Sequence, residues 1–168
     1  MKPILLLLIT LCLVGCSTTE NSTVAETETA DKVLVLKAKR EMQLLKEGRV
    51  IKIYRIAMGD QPVGHKQQEG DERTPEGTYT LDWRNSKSAW HKSIHISYPN
   101  EQDVARAKRM GVSPGGDIMI HGMAKNMAWI GALHTARDWT NGCIAVTNEE
   151  MDEIWTMVKN GTEIEIQP

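Results

Sequence analysis

The sequence predicts a β-rich single domain with a packed C-terminal helix. Three observations predict it. Short stretches of alternating apolar and polar residues recur along the chain. Glycine-bearing turn signals such as Glu47-Gly48 lie between them. Helical periodicity is confined to a few segments, of which the clearest lies near the C-terminus.

Residues 1–15 read as a signal peptide. Lys2 is the positive end, and the apolar run that follows is shorter than the roughly 20 residues needed to cross a bilayer. The run ends in Leu13-Val14-Gly15-Cys16, which resembles a bacterial lipobox. That resemblance implies cleavage before Cys16 and a lipid on its sulfur. Ser17 follows Cys16; by analogy with enterobacterial sorting, this suggests the outer membrane, with the protein facing the periplasm. Residues 16–31 are rich in Ser, Thr and Glu and read as a lipidated flexible tether.

Residues 32–168 suit one domain with a sizeable core. Strands are expected at 33–36, at 40–46 and 49–57 flanking the hairpin signal Glu47-Gly48, and at 78–83, 93–97, 118–120 and 163–166. A helix is expected over 101–110, stopped by Gly111, and a second over 148–159. In the second, Met151, Ile154, Trp155 and Val158 form one apolar face, and Thr147 with Glu150 resembles a capping box. The five tryptophans are assigned to the core or to cleft walls.

The chain carries 20 Lys and Arg against 22 Asp and Glu, with no basic tract, which argues against a nucleic-acid partner. Of the three cysteines, Cys12 lies in the leader and Cys16 at the lipobox. Cys143 is then the lone thiol of the mature protein, and with histidines elsewhere it is a candidate nucleophile. Gly142 before it leaves space for a substrate. His91 and His95 are four apart, but Ile94 and Ile96 argue for a strand, so a zinc site is a weak rival. Nothing implies a metal, nucleotide or organic cofactor.

The segments Arg73-Thr74-Pro75-Glu76-Gly77-Thr78-Tyr79, Ile118-Met119-Ile120-His121-Gly122 and Thr140-Asn141-Gly142-Cys143-Ile144, taken in this order, resemble the L,D-transpeptidase catalytic domain, or YkuD domain. The resemblance implies a β-sandwich or barrel-like fold of mixed sheets. It implies Cys143 as nucleophile, His121 as general acid and base, and the Gly122 backbone carbonyl as the group that orients His121. A thiol attacks as thiolate, so a neighbouring base is required. Backbone N–H groups of Gly142 and Cys143 are the natural oxyanion donors. The family usually has a His where this chain has Asn141, and often Arg or Asn where it has Ala145. Asn141 can still donate to or orient the substrate; Arg137 is a possible replacement ligand for an acidic substrate.

The interval from His121 to Cys143 is longer than the common pattern and reads as a partly helical lid. Trp129 and Trp139, with its methionines, are expected to line a groove for a peptide stem, and His95 to border the cleft. The implied reaction is acyl transfer on peptidoglycan stem peptides through a thioester on Cys143. The partners would be stem peptides, the membrane through the lipid, and an envelope protein as acceptor or substrate, with the enzyme a monomer. Two other readings stay open: a hydrolase with the same Cys/His pair, and an envelope-binding module with a decayed site.

Overall fold

The computed structural model describes residues 28–168. Residues 1–15, read as a signal peptide, and Cys16 lie outside them. Eight strands form one mixed sheet in the order β3-β2-β1-β8-β4-β5-β6-β7. They are β1 (Lys32–Leu36), β2 (Glu41–Lys46), β3 (Arg49–Arg55), β4 (Gly77–Asn85), β5 (Ser93–Ile96), β6 (Met119–His121), β7 (Ile144–Ala145) and β8 (Thr162–Gln167). Two α-helices accompany them, α1 (Glu101–Met110) and α2 (Asn148–Met157). The expected β-sandwich or barrel-like arrangement of mixed sheets is present as one continuous mixed sheet.

The alternating segments form strands because one face of each is apolar. Val33, Val35, Leu81, Ile164 and Ile166 are all buried in one core. The β2–β3 turn places Glu47 at φ 50° and Gly48 at φ 76°, the left-handed pair that suits a two-residue hairpin. Beyond β3 the chain reaches the far edge of the sheet. The Ala57 N–H donates to the Ala145 carbonyl at 3.1 Å, and the Ala145 N–H returns the bond at 2.9 Å. This pair curls the sheet toward a barrel. It also explains Ala145: the residue is fully buried at the seam, where a long polar side chain has no room.

Helix α2 closes the core with Met151 and Ile154, fully buried along with Val158 just beyond its end. Thr147 Oγ1 accepts from the Glu150 N–H at 3.2 Å, and the Glu150 carboxylate accepts from the Thr147 N–H at 2.8 Å, the expected capping box. The helix ends at Met157, earlier than Asn160-Gly161 suggests. Ala30, assigned to the tether, is buried, and its N–H donates to the Met157 carbonyl at 2.8 Å. The packed domain therefore begins slightly before residue 32. Of the tryptophans, Trp129 and Trp83 depart from expectation: both are exposed, Trp129 to 82%, and neither lines the Cys143 cleft.

Candidate active site

The site is built from three neighbouring strands. In the ladder Ser93 stands beside His121, and His121 beside Ala145. Side chains alternate faces along a strand. Ile94, Ile120 and Ile144 therefore share the inner face, and all are fully buried. Ser93, Met119, His121 and Cys143 share the other side and line a cleft of about 460 Å³ with Trp90, Asp117, Trp139, Thr140 and Asn141. The alternation that builds the core thus delivers thiol and imidazole to one cleft.

His121 is buried, with only 5% exposed. Its Nδ1 lies 2.7 Å from the Gly122 carbonyl. A carbonyl only accepts, so Nδ1 carries the proton and Nε2 is left as the basic nitrogen. Burial pushes the imidazole below its ordinary value; the Gly122 bond opposes this, and the charge of a protonated His134 adds to it. Trp90 and Trp139 flank the ring at 5.1 and 6.0 Å between centroids. Gly122 is required because a Cβ there would sit 2.6 Å from Asn148 Oδ1. That same oxygen accepts from the Met123 N–H at 2.7 Å, so the first residue of α2 fixes the loop that holds His121.

Cys143 is half-buried and its thiol is free. Burial pushes the thiol up; the Met119 N–H and the Lys66 ammonium oppose this, and Asp117 adds to it. The Sγ donates to the Asp117 carbonyl at 3.6 Å. The resting pair is therefore neutral thiol and neutral imidazole. Gly142 precedes the thiol at φ 125°, and a Cβ there would lie 2.6 Å from the Arg73 carbonyl. The Arg73 backbone accordingly packs directly against the cysteine loop.

The Gly142 N–H, expected to serve the oxyanion, is committed elsewhere. It donates to Thr140 Oγ1 at 3.1 Å, while that hydroxyl donates to the Cys143 carbonyl at 2.7 Å. No partner is found for the Cys143 N–H among the described residues, which leaves it available as a donor. Thr140, Asp117 and the Met119 N–H are the participants that sequence reasoning missed. A hydroxyl residue two before Gly142 was the one available signal.

Other expected residues lie apart. His95 is not in the cleft: it stacks on Trp83 with centroids 4.8 Å apart and bonds Asp82 at 2.6 Å. The lid segment exists as a 3-10 stretch, Ala128–Ala136, but none of its residues lines the Cys143 cleft. Trp129 projects to solvent, and its indole N–H donates to the Asn126 carbonyl at 3.0 Å. Arg137 is exposed and borders a second cavity. Trp139 lines both the cleft and that cavity. Asn141 is at the cleft and exposed.

A fold of this kind, with a cysteine and a carbonyl-tethered histidine lining one cleft, belongs to a known class. Residues 30–166 match the YkuD family, the L,D-transpeptidase catalytic domain, and the chain belongs to that family. It is 30% identical over 133 residues to YafK of Escherichia coli K12, itself only provisionally named an L,D-transpeptidase. That match covers 70% of this chain and 46% of YafK, so the chain spans about half the length of the curated relative. Among solved structures, Pgp2 of Campylobacter jejuni, a helical cell shape determining protein, is 25% identical with TM-score 0.63. The likeness covers 83% of this chain and 48% of Pgp2. An L,D-transpeptidase from Xylanimonas cellulosilytica, at 16% identity and TM-score 0.53 over 83% and 61% of the two chains, shares the fold.

Proposed function

We propose that the protein is an acyltransferase acting on peptidoglycan stem peptides through a thioester on Cys143. The observation that carries this is the shared face: a free thiol and an imidazole with Nδ1 tied to Gly122 line one cleft. His121 Nε2 takes the thiol proton as Sγ bonds the carbonyl carbon of the donor's third residue. The oxyanion is held by the Cys143 N–H. Collapse breaks the peptide bond, and the departing D-Ala amine takes the proton from His121. An acceptor amine then loses its proton to His121, its nitrogen bonds the acyl carbon, and the proton returns to sulfur as the C–S bond breaks.

Hydrolysis is the second reading, and one observation favours it. Of the segment expected to exclude water, Trp139 lines the cleft but the Ala128–Ala136 stretch does not, which leaves water a route to the thioester. Incubating the domain with tetrapeptide, with and without excess amine acceptor, separates the two. Exchanged product in proportion to acceptor supports transfer; tripeptide alone, indifferent to acceptor, establishes hydrolysis. Cys143→Ala should abolish both, and His121→Ala should slow them by on the order of 100-fold. Near-normal turnover in either variant would refute the pair. A wild-type domain that forms no Cys143 adduct with stem peptides or thiol reagents would point instead to a binding module.

The lipobox motivates a cell-envelope placement, with the protein lipidated at Cys16 and facing the periplasm. Mass spectrometry of membrane-isolated protein should find a diacylglyceryl-modified N-terminal Cys16. An unmodified Cys16 within an intact leader would end this proposal.

A further inference from the structure

The 3-10 stretch Ala128–Ala136 stands away from the Cys143 cleft, and its surface is apolar. Every exposed residue in it is hydrophobic: Ala128, Trp129, Ala132, Leu133 and Ala136. Trp129 is 82% exposed and Leu133 75%. A helical segment on a protein surface ordinarily turns its polar face outward; this one does the reverse. Single exposed apolar residues are common, but here a large aromatic and a leucine stand four residues apart on one segment.

Three polar groups of the stretch are already answered locally. The Trp129 indole N–H donates to the Asn126 carbonyl at 3.0 Å, the Thr135 hydroxyl to the Ala132 carbonyl at 2.9 Å, and the Ile130 N–H to the Met127 carbonyl at 3.0 Å. Groups paired in this way can leave water without losing a partner. The charges around the stretch carry one sign. No Asp or Glu occurs between Asp117 and Asp138, while Lys125 and Arg137, both exposed, bracket the stretch in a chain of net charge -2.

We propose that this segment is a wedge that docks the domain on an anionic phospholipid surface, with Trp129 and Leu133 seated between headgroups and acyl chains. The two side chains gain affinity by leaving water, and an indole suits that boundary. The local hydrogen bonds lower the cost of burying the indole and hydroxyl donors. Lys125 and Arg137 have long stems that reach the phosphate layer, and no carboxylate lies between them to repel it. A second copy of this chain would bring the same cations against each other, which disfavours a self-paired face. The inference takes its setting from the cell-envelope placement. From Cys16 to Glu28 the chain can extend at most about 40 Å, more than the roughly 30 Å width of a small domain, so a lipid anchor and the wedge can meet one membrane.

The test uses residues 28–168, which hold the whole sheet and its core and lack both the leader and Cys16. Binding is read by co-sedimentation with vesicles of phosphatidylcholine, alone or mixed with phosphatidylglycerol. Depth is read by quenching of tryptophan fluorescence with lipids brominated along the acyl chain. The domain should bind the mixed vesicles, and they should quench it. Trp129→Ala should remove the quenching, and Trp129→Ala and Leu133→Ala should each weaken binding on the order of tenfold. Both residues are exposed, so melting should stay unchanged in either variant. Lys125→Gln and Arg137→Gln should each weaken binding about fivefold on mixed vesicles and have no effect on phosphatidylcholine alone. Absence of binding to mixed vesicles, or binding that survives Trp129→Ala and Leu133→Ala together, would overturn the wedge. A dimer that Trp129→Ala dissolves would assign the face to a second copy and overturn it too. A lipidated Cys16 with no vesicle binding by the domain would defeat the wedge and leave the envelope placement standing. Vesicle binding beside an unmodified Cys16 would do the opposite.

Discussion

At the scale of single residues, the protonation state of the proposed catalytic pair, Cys143 and His121, decides how the thiol would be activated. Burial raises the Cys143 thiol and lowers the His121 imidazole. A pre-formed thiolate–imidazolium pair would need the opposite shifts. The proton must therefore move to Nε2 during attack, and the free enzyme should react slowly with small alkylating agents. Alkylation of Cys143 by iodoacetamide should climb with pH to beyond the ordinary thiol range, about 8.5, without a plateau between pH 5 and 7. A low-pH plateau would establish a resting thiolate and refute this ordering. Thr140 carries the second argument. Its hydroxyl joins the Gly142 N–H to the Cys143 carbonyl, so it sets the peptide that points the Cys143 N–H. Thr140→Val keeps the shape and removes both bonds. It should cost about 1–3 kcal/mol of stability and lower kcat more than it raises KM; a change in KM alone would assign Thr140 to binding. The thiol, the imidazole and Gly122 were legible because their spacing is a sequence pattern. The Gly142 N–H was misassigned because a backbone donor's partner is set by loop conformation, which residue types alone do not encode.

Among the elements, strand β6 and helix α2 divide the work of holding His121. The strand fixes the face from which the side chain emerges, and the helix fixes the loop that orients the ring. Asn148 sits at the first turn of α2, directly after the Thr147 cap, and its Oδ1 holds the Met123 N–H. Asn148→Ala leaves the Thr147–Glu150 capping box untouched. Melting should therefore shift only modestly, by an amount consistent with about 1 kcal/mol for one hydrogen bond. Acyl transfer should fall by a larger factor, on the order of tenfold, because the Gly122 carbonyl loses its brace. Equal losses in stability and activity would show the bond to be merely structural. The long alternating strands and both helices were readable from periodicity. Strand β7 is only two residues long, too short to carry a period, and the seam between Ala57 and Ala145 joins chain segments far apart in sequence. The 128–136 segment was read correctly as partly helical, but its position was not. Apolar residues there predict contact without saying with what, and they line the second cavity instead of the cleft.

For the whole molecule, the two buried histidines make stability depend on pH in a defined window. His121 and His134 are each held below the ordinary imidazole value chiefly by burial. In the unfolded chain both titrate near pH 6.5. Above that pH neither state binds the extra protons, and the full stability is present. As pH falls below it, the unfolded chain takes up protons that the folded protein refuses, so stability is lost until the folded values are reached. Each site contributes a slope of at most about 1.4 kcal/mol per pH unit. Carboxylates act in a lower window: Glu153, held down first by its bond to Lys52 and further by Tyr54, loses its contribution only below about pH 4.5. Between pH 6.5 and 5 the histidines therefore dominate. Urea midpoints of residues 28–168 should fall across that interval, and the slope should drop to about half in His134→Gln, which removes one titrating group while keeping polar atoms at the second cavity. A midpoint flat from pH 7 to 5 would mean that the folded protein takes up protons on both rings as readily as the unfolded chain, and burial would then not be what holds His121 neutral as a base for Cys143.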